Sequence, residues 1–413
     1  MGFEHGFMPC DICLPARRAS YERWAVIACD QYTSQRDYWD RVESIVGDAP
    51  SALNLIQPEI DLDKAPRRLP LIRRAMETYV SDGTLEKAVR NGYVLTLRRT
   101  YSGLRPGLVG LVDLEAYDFA PGNLKPIRAS EKTIVERLPA RMRIREGALV
   151  ECPHVMLLAD DAEGLLVERV WEKVKARQPL YDFELMMSGG HLTGWAVEDG
   201  ALLKDIDRAM SALMERSDGF LFAVGDGNHS LASAKACWEN VKKGLSAEDQ
   251  ARHPARFALA EVVNLHCPAL LFKPIHRAVF GADVQDLKKD FALWLEGRQA
   301  RLAQGGSICF TDGQREEAFR VESGETLIDA AWVQPWLDDY VLRRPGVRLD
   351  YVHGDGALRE ICLSQGAAGI GLGTIDKSAL FPSIRSLGVL PRKAFSMGEA
   401  DEKRFYLEAR LLG

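Results

Sequence analysis

The segment Leu221-Phe222-Ala223-Val224-Gly225-Asp226-Gly227-Asn228-His229-Ser230-Leu231-Ala232-Ser233-Ala234 constrains the fold more than any other part of the chain. A wholly apolar run ends in a turn with two glycines, and a helix rich in small residues begins at once. Such a junction offers first-turn N–H groups without intrahelical acceptors, and the positive end of a helix dipole, to whatever lies above it. That environment suits a phosphate. Asp226, Asn228, His229 and Ser230 then crowd four polar side chains into five positions. A helix cap needs one such residue, so the cluster reads as a site.

The flanking segments continue the same alternation of strand and helix. Val155–Ala159 reads as a buried strand, Glu163–Lys175 as an amphipathic helix, Gly190–Ala196 as a strand, Leu202–Glu215 as a helix and Phe257–Leu265 as a strand. Upstream, Trp24–Cys29 reads as a short strand and Ser34–Val46 as a helix. Pro70–Tyr79 and Leu85–Asn91 look helical, while Tyr93–Tyr101 and Gly107–Leu114 read as strands paired about Ser102-Gly103. The last third mixes helices at Asp283–Leu295 and Trp332–Leu342 with strands at Ser307–Phe310, Ala318–Arg320 and Phe405–Arg410. The expected class is α/β, mixed α+β toward the C-terminus. At about 100–200 residues per domain, the 413 residues divide into an N-terminal α+β region (1–150), an α/β core (151–280) and a C-terminal α+β region (281–413).

Charge and composition exclude several functions. With 59 acidic against 53 basic side chains the net charge is −6, and no basic stripe marks a nucleic-acid binder. No run approaches the roughly 18 apolar residues of a membrane span. The first residues, Met1-Gly2-Phe3-Glu4-His5-Gly6, lack the basic start and apolar centre of a secretion signal. Eight scattered cysteines read as reduced thiols, so a cytoplasmic protein is expected, with its oligomeric state open. Cys10-Asp11-Ile12-Cys13 stands without a second pair and reads as two thiols in an N-terminal arm; no residue is assigned to a metal. Gly371–Ser378 approaches a Walker A loop, but Asp376 occupies the place of the glycine before lysine, and Gly369–Thr374 misses the third glycine of a dinucleotide fingerprint. The region reads as a turn between strand and helix.

Further candidate residues fall at strand ends and loops. Asp30 follows the apolar run Trp24–Cys29, where a carboxylate can point into a cleft and act as a base or a metal ligand. Arg128, Glu131 and Thr133 lie in Lys125–Thr133, His191 follows two glycines, His276 and Arg277 lie in Lys273–Arg277, and Lys393 lies in Pro391–Gly398. Arg128 and Lys393 are candidate phosphate partners, through a guanidinium fork and a point charge respectively.

Taken in order, Trp24–Thr33, Ile127–Thr133, Pro153–Leu158, the Gly225–Ser230 turn, Lys273–Arg277, Gly388–Gly398 and Phe405–Glu408 resemble, over nearly the whole chain, the bacterial and archaeal family catalogued as domain of unknown function one thousand and fifteen. That name implies no activity. The turn Asp226-Gly227-Asn228-His229 also resembles the phosphate-binding corner of the ParB/sulfiredoxin superfamily. Archaeal free serine kinases of that superfamily carry a similar turn and transfer phosphate from a nucleotide to free serine. Ser230 stands where many relatives have arginine, so Arg128 or Arg277 would supply the clamp.

The resemblance implies a ParB/sulfiredoxin-like core flanked by packed α+β regions. It also implies a phosphotransferase or phosphatase acting on a small phosphate-bearing metabolite, with serine or O-phosphoserine the most specific candidates. ADP or ATP with Mg2+ is the implied cofactor. In that picture Gly227, Asn228, His229 and Ser230 hold and orient phosphate, with Asp226 and His229 in the catalytic group. Asp30 or Glu131 accepts the substrate proton, and Arg128, Arg277 and Lys393 neutralise charge, with Thr133, His191 and His276 as further binding residues. The alternative is a non-enzymatic phosphate-ligand sensor or scaffold. The net charge disfavours ParB-like DNA binding, and neither nucleic acid nor membrane is an expected partner.

Overall fold

The computed structural model describes residues 5–16 and 19–412. The chain divides into two compact units: one runs to Leu270 and resumes at Glu399, and the other comprises Leu271–Gly398. Among the described residues no helix is long and apolar enough to cross a membrane.

The first unit is an α/β arrangement built on an eleven-stranded mixed sheet. Its order is Tyr181–Glu184, His191–Val197, Leu85–Thr100, Gly103–Asp113, Phe257–Asn264, Met156–Ala159, Phe222–Asp226, Ile127–Ala129 and Tyr117–Asp118. Phe7–Met8 joins Gly103–Asp113, and Cys10–Pro15 joins Leu85–Thr100. Strands from the first and middle thirds of the sequence are therefore neighbours in one sheet.

Side-chain alternation sends the two faces of this sheet into separate cores. Val94 packs with Trp24, Trp39 and Met76, whereas Tyr93 and Leu95 pack with Trp195, Phe222 and Trp238. A slip of one residue would exchange these faces, which fixes the pairing of His191–Val197 with Leu85–Thr100 from His191↔Arg99 to Val197↔Tyr93. Gly107 is required where it stands: a Cβ there would lie 2.0 Å from Glu261 Oε1 on the adjacent strand.

Three local expectations are corrected. Leu85–Asn91, expected to be helical, opens the strand Leu85–Thr100. Two register shifts in its pairing with Cys10–Pro15 bury Leu85 and Val89 four residues apart, which imitates the spacing of a helix. Trp24–Cys29 is not one strand: Ser20 caps a short helix, Tyr21–Trp24, and only Val26–Ile27 is extended, paired with Phe405–Tyr406. Lys273–Arg277, expected at a loop or strand end, lies inside the strand Phe272–Phe280, where His276 and Arg277 are buried with polar atoms paired.

In the second unit Phe272–Phe280 pairs antiparallel with Arg348–His353, Ala368–Gly371 and Phe395–Met397. Arg301–Thr311 and Glu316–Glu322 complete the sheet, accompanied by the helices Val284–Glu296, Asp329–Leu342, Asp355–Gln365 and Leu380–Leu387. The glycine-rich Ala368–Gly371 is a strand followed by a loop in which Asp376 accepts the Ser378 amide.

Candidate functional site

The strand Phe222–Asp226 runs between Ile127–Ala129, parallel to it, and Met156–Ala159, antiparallel. A register shift between Val224 and Asp226 loosens the last pairing and lets the chain turn. Gly227 then takes a left-handed conformation, φ 78° and ψ 26°, before the helix Asn228–Val241. The helix's first backbone bond runs from Leu231 N–H to Gly227 C=O at 3.0 Å, so the amides of Asn228, His229 and Ser230 precede the ladder. Gly227 supplies no capping side chain.

Asn228 fastens this turn to the neighbouring strand. Its Oδ1 accepts the Ser130 amide at 3.2 Å, and its Nδ2 donates to Ser130 Oγ at 3.2 Å. His229 Nε2 accepts the Ile134 amide at 3.2 Å, tying the loop that carries Glu131 and Thr133 to the helix. Thr133 is buried and its Oγ1 accepts and donates nothing. Ser233 Oγ donates to the His229 carbonyl at 2.7 Å.

The opposite wall comes from both ends of the unit's sequence. The pairing of Val26–Ile27 with Phe405–Tyr406, extended by Ala28 N–H to Arg404 C=O at 3.0 Å, brings Asp30 toward Lys403. Lys403 Nζ stands 3.4 Å from Asp226 Oδ2. Tyr406 Oη accepts the Cys29 amide at 3.3 Å and forms a hydrogen bond of 2.7 Å with His154 Nδ1. His154 Nε2 lies 4.0 Å from Asp30 Oδ2. His154 also abuts the glycine turn: a Cβ on Gly227 would lie 3.5 Å from His154 Cδ2. Burial works against the charge of Asp30, but His154, Gln31 and Lys403 outweigh it and hold its carboxyl below the ordinary range.

Arg404 anchors this wall. It donates to Glu261 Oε2 at 2.7 Å, Glu408 Oε2 at 2.6 Å and the Pro153 carbonyl at 2.7 Å, all buried. Thr96 Oγ1 donates to Glu261 Oε1 at 2.9 Å, and Tyr181 to Glu408 Oε1. Because burial alone would raise the Glu261 carboxyl, the net lowering shows that Arg404 and Arg105 dominate.

Beside the turn lies a cavity of about 130 Å3, lined by Ser230, Ser233, His154, Tyr406, Cys29, Gln57, Glu59, Arg141 and apolar side chains including Leu55, Ile56, Met76 and Ile144. Burial pushes the thiols of Cys29 and Cys152 in its wall up to about 12, so both stay protonated at neutral pH and neither is an activated nucleophile. Among the described residues no three His, Cys, Asp or Glu side chains converge to hold a metal ion.

The other sequence candidates are placed as follows. Arg128 is buried, donates to the Lys125 carbonyl at 2.8 Å and stacks 4.3 Å above the Phe220 ring. His191 bridges Glu184 at 2.8 Å and Asp182 at 2.6 Å on a strand separated from Phe222–Asp226 by four others. Burial lowers its pKa, but those two carboxylates overcome this and raise it. In the second unit, His276 Nδ1 accepts the Leu372 amide at 3.1 Å and Nε2 stands 3.2 Å from Asp355. Arg277 donates to Gln334, Ile275 and the Lys393 carbonyl, and burial lowers its pKa to about 10. Lys393 takes a positive φ of 56°.

Sequence reasoning assigned no role to Lys403, Arg404, His154 or Tyr406. The last two lie within stretches that carry the family resemblance, which was the available signal. Lys403 and Arg404 acquire their roles only through strand pairing across the whole unit.

Three comparisons bear on this chain. The family model described as "Protein of unknown function (DUF1015)" matches residues 13–332. No curated protein matches the sequence. Among solved structures, a free serine kinase in complex with AMP is similar at a TM-score of 0.36 and 10% identity, covering 70% of this chain and 91% of that one. A mutant of a free serine kinase in complex with ADP gives 0.36 and 10%, covering 70% and 93%. A conserved hypothetical protein from Pyrococcus furiosus gives 0.33 and 9%, covering 71% and 96%.

Proposed function

This chain belongs to the DUF1015 family, whose description states no activity, and from that premise we propose that its first unit is a nucleotide-dependent phosphotransferase, or the corresponding phosphatase, acting on the hydroxyl of a small metabolite. One observation carries the proposal: the amide-bearing turn Gly227–Ser230 abuts His154, whose Nε2 is 4.0 Å from the charged carboxylate of Asp30, while Lys403 pairs with Asp226 at the foot of the same turn. An anion cradle, a fixed cation and a carboxylate are the parts phosphoryl transfer requires, because catalysis there is mostly positioning and charge stabilisation. We assign the strand Phe222–Asp226 and the helix Asn228–Val241 to the phosphate corner of a ParB/sulfiredoxin-like core, with serine and O-phosphoserine the substrates to test first.

In the forward direction the acceptor oxygen attacks the terminal phosphorus and its proton passes to Asp30. The bond to the nucleotide's bridging oxygen breaks, and that oxygen keeps the electron pair. The amides of Asn228–Ser230 and the Lys403 ammonium stabilise the charge that develops. His154, held by Tyr406, stands beside Asp30 and positions it. Asn228 and His229 shape the turn through Ser130 and Ile134, and Glu131 stands in the loop that His229 fastens. Mg2+ binds few carboxylates and keeps waters and phosphate oxygens as its other ligands, so Asp226 or Asp30 with the nucleotide would hold it. Bound there, it would neutralise phosphate charge.

The test is to incubate the purified protein with ATP or ADP and serine, and separately with O-phosphoserine, and to follow phosphate by phosphorus NMR. Product that disappears in Asp30→Asn and Asp226→Ala supports the proposal. If no product forms and neither nucleotide nor O-phosphoserine shifts the melting temperature, the enzyme reading falls. Tight binding without product over hours would make the protein a ligand sensor.

A further inference from the structure

The second unit holds a cavity of about 150 Å3 that the phosphoryl-transfer site does not use. Its polar lining is Ser307, Thr326, Asp329, Thr374 and Asp376, and among the described residues no lysine, arginine or histidine lines it. One wall, Leu372–Asp376, belongs to the glycine-rich stretch that approaches a Walker A loop in sequence. Gly373 lets that wall close in, since a Cβ there would lie 2.4 Å from Ser307 Cβ. Two carboxylates with no cation between them repel a phosphate, so the glycines here shape a cavity of the opposite preference.

Asp329 sets that preference. It is half-buried at the first position of the helix Asp329–Leu342. Burial raises its carboxyl above the ordinary range; the Ser307 hydroxyl and the Gly373 amide counter this, and no cationic side chain contributes. Ser307 and Gly373 line the same cavity, so the carboxylate lies at its wall. Asp376 is exposed and already accepts the Ser378 amide at 2.9 Å and hydroxyl at 2.7 Å. A carboxylate withdrawn from water normally has a positive partner, and here the protein supplies none.

The remaining lining narrows the class of cation. A divalent metal needs several hard oxygen ligands, and among the described residues no three His, Cys, Asp or Glu side chains converge to hold one. Pro274, Leu372 and Ile375 offer apolar surface for a hydrocarbon stem. The volume matches the roughly 150 Å3 of an engineered cavity that takes benzene. The hydroxyls of Thr326 and Thr374 add acceptors for further N–H groups.

We propose that this cavity binds a small organic cation, a primary ammonium on a short apolar stem, with Asp329 as its counter-charge. The site lies wholly in the second unit, so it stands or falls independently of the phosphotransferase reading of the first. Proton NMR titration of the full chain compares n-butylammonium, 1-butanol and butyrate, which share a stem and differ in charge. Butylammonium should bind about ten- to hundredfold more tightly than butanol, the contribution of a hydrogen bond to a charged group, and butyrate should not bind. Asp329→Asn should bring butylammonium within about twofold of butanol. Thr326→Trp, at an exposed position of the lining, should exclude butylammonium while the melting temperature holds.

No binding of butylammonium, equal binding of butanol, tighter binding of butyrate, or a preference for the cation that survives Asp329→Asn overturns the assignment. If Asp329→Asn does not fold, unchanged butylammonium binding by Thr326→Trp does so.

Discussion

Lys403 places its ammonium 3.4 Å from the Asp226 carboxylate, joining the last segment of the first unit to the end of a central strand. Both side chains are mostly shielded, at 13% and 14% exposure, so water screens the pair only partly. The same ammonium helps hold Asp30 charged. One cation thus serves both carboxylates of the site.

Lys403→Met should lower kcat about 100- to 1,000-fold, the range seen when a group stabilising transition-state charge is removed. The melting temperature should stay within a few degrees of wild type. Steady-state kinetics and calorimetric melting on the same preparation separate the two effects.

Gly227→Ala should destabilise the protein by about 1–2 kcal/mol, the usual cost of a left-handed residue with a Cβ. A Cβ there would also press to 3.1 Å on Val155. Gly227→Asn should cost less, since asparagine enters this conformation more readily. Urea unfolding of the two variants measures the order, and phosphate-ligand affinity should fall in both.

Glu261→Ala should cost about 3–5 kcal/mol in urea unfolding, as breaking a buried charged network does. Arg404 would keep Glu408 but lose its second carboxylate, and Gly107, which makes room for Glu261, would face an empty space. Glu261→Gln keeps the volume and should be milder.

Hydrogen bonds from Arg36, then Lys64, lower the Asp61 carboxyl from 3.8 to about 2. Its folded pKa is depressed, so the stability it contributes is present above about pH 4 and disappears as pH falls toward 2. Asp61→Asn should therefore flatten the acid side of the melting profile and change little between those forms at low pH. Melting temperatures recorded from about pH 5 downward check the sign.

The glycine turn was legible because its signal is local: an apolar run, two glycines and a small-residue helix are contiguous in the sequence. The hairpin about Ser102-Gly103 was legible for the same reason. Leu85–Asn91 misled because bulges bring two buried apolar residues to helical spacing. His276 and Arg277 misled because polar residue types suggest solvent, whereas the strand buries both and supplies their partners. The far wall of the site depends on pairing between residues near 27 and near 406, a contact with no local pattern.

The central claim is that the Gly227–Ser230 turn holds phosphate. A crystal structure with ADP and O-phosphoserine tests it most directly. The account predicts a phosphate whose oxygens lie about 2.7–3.2 Å from the amides of Asn228–Ser230, with Lys403 and Asp30 facing the transferred group. A nucleotide bound elsewhere, with the turn contacting no phosphate, would contradict it.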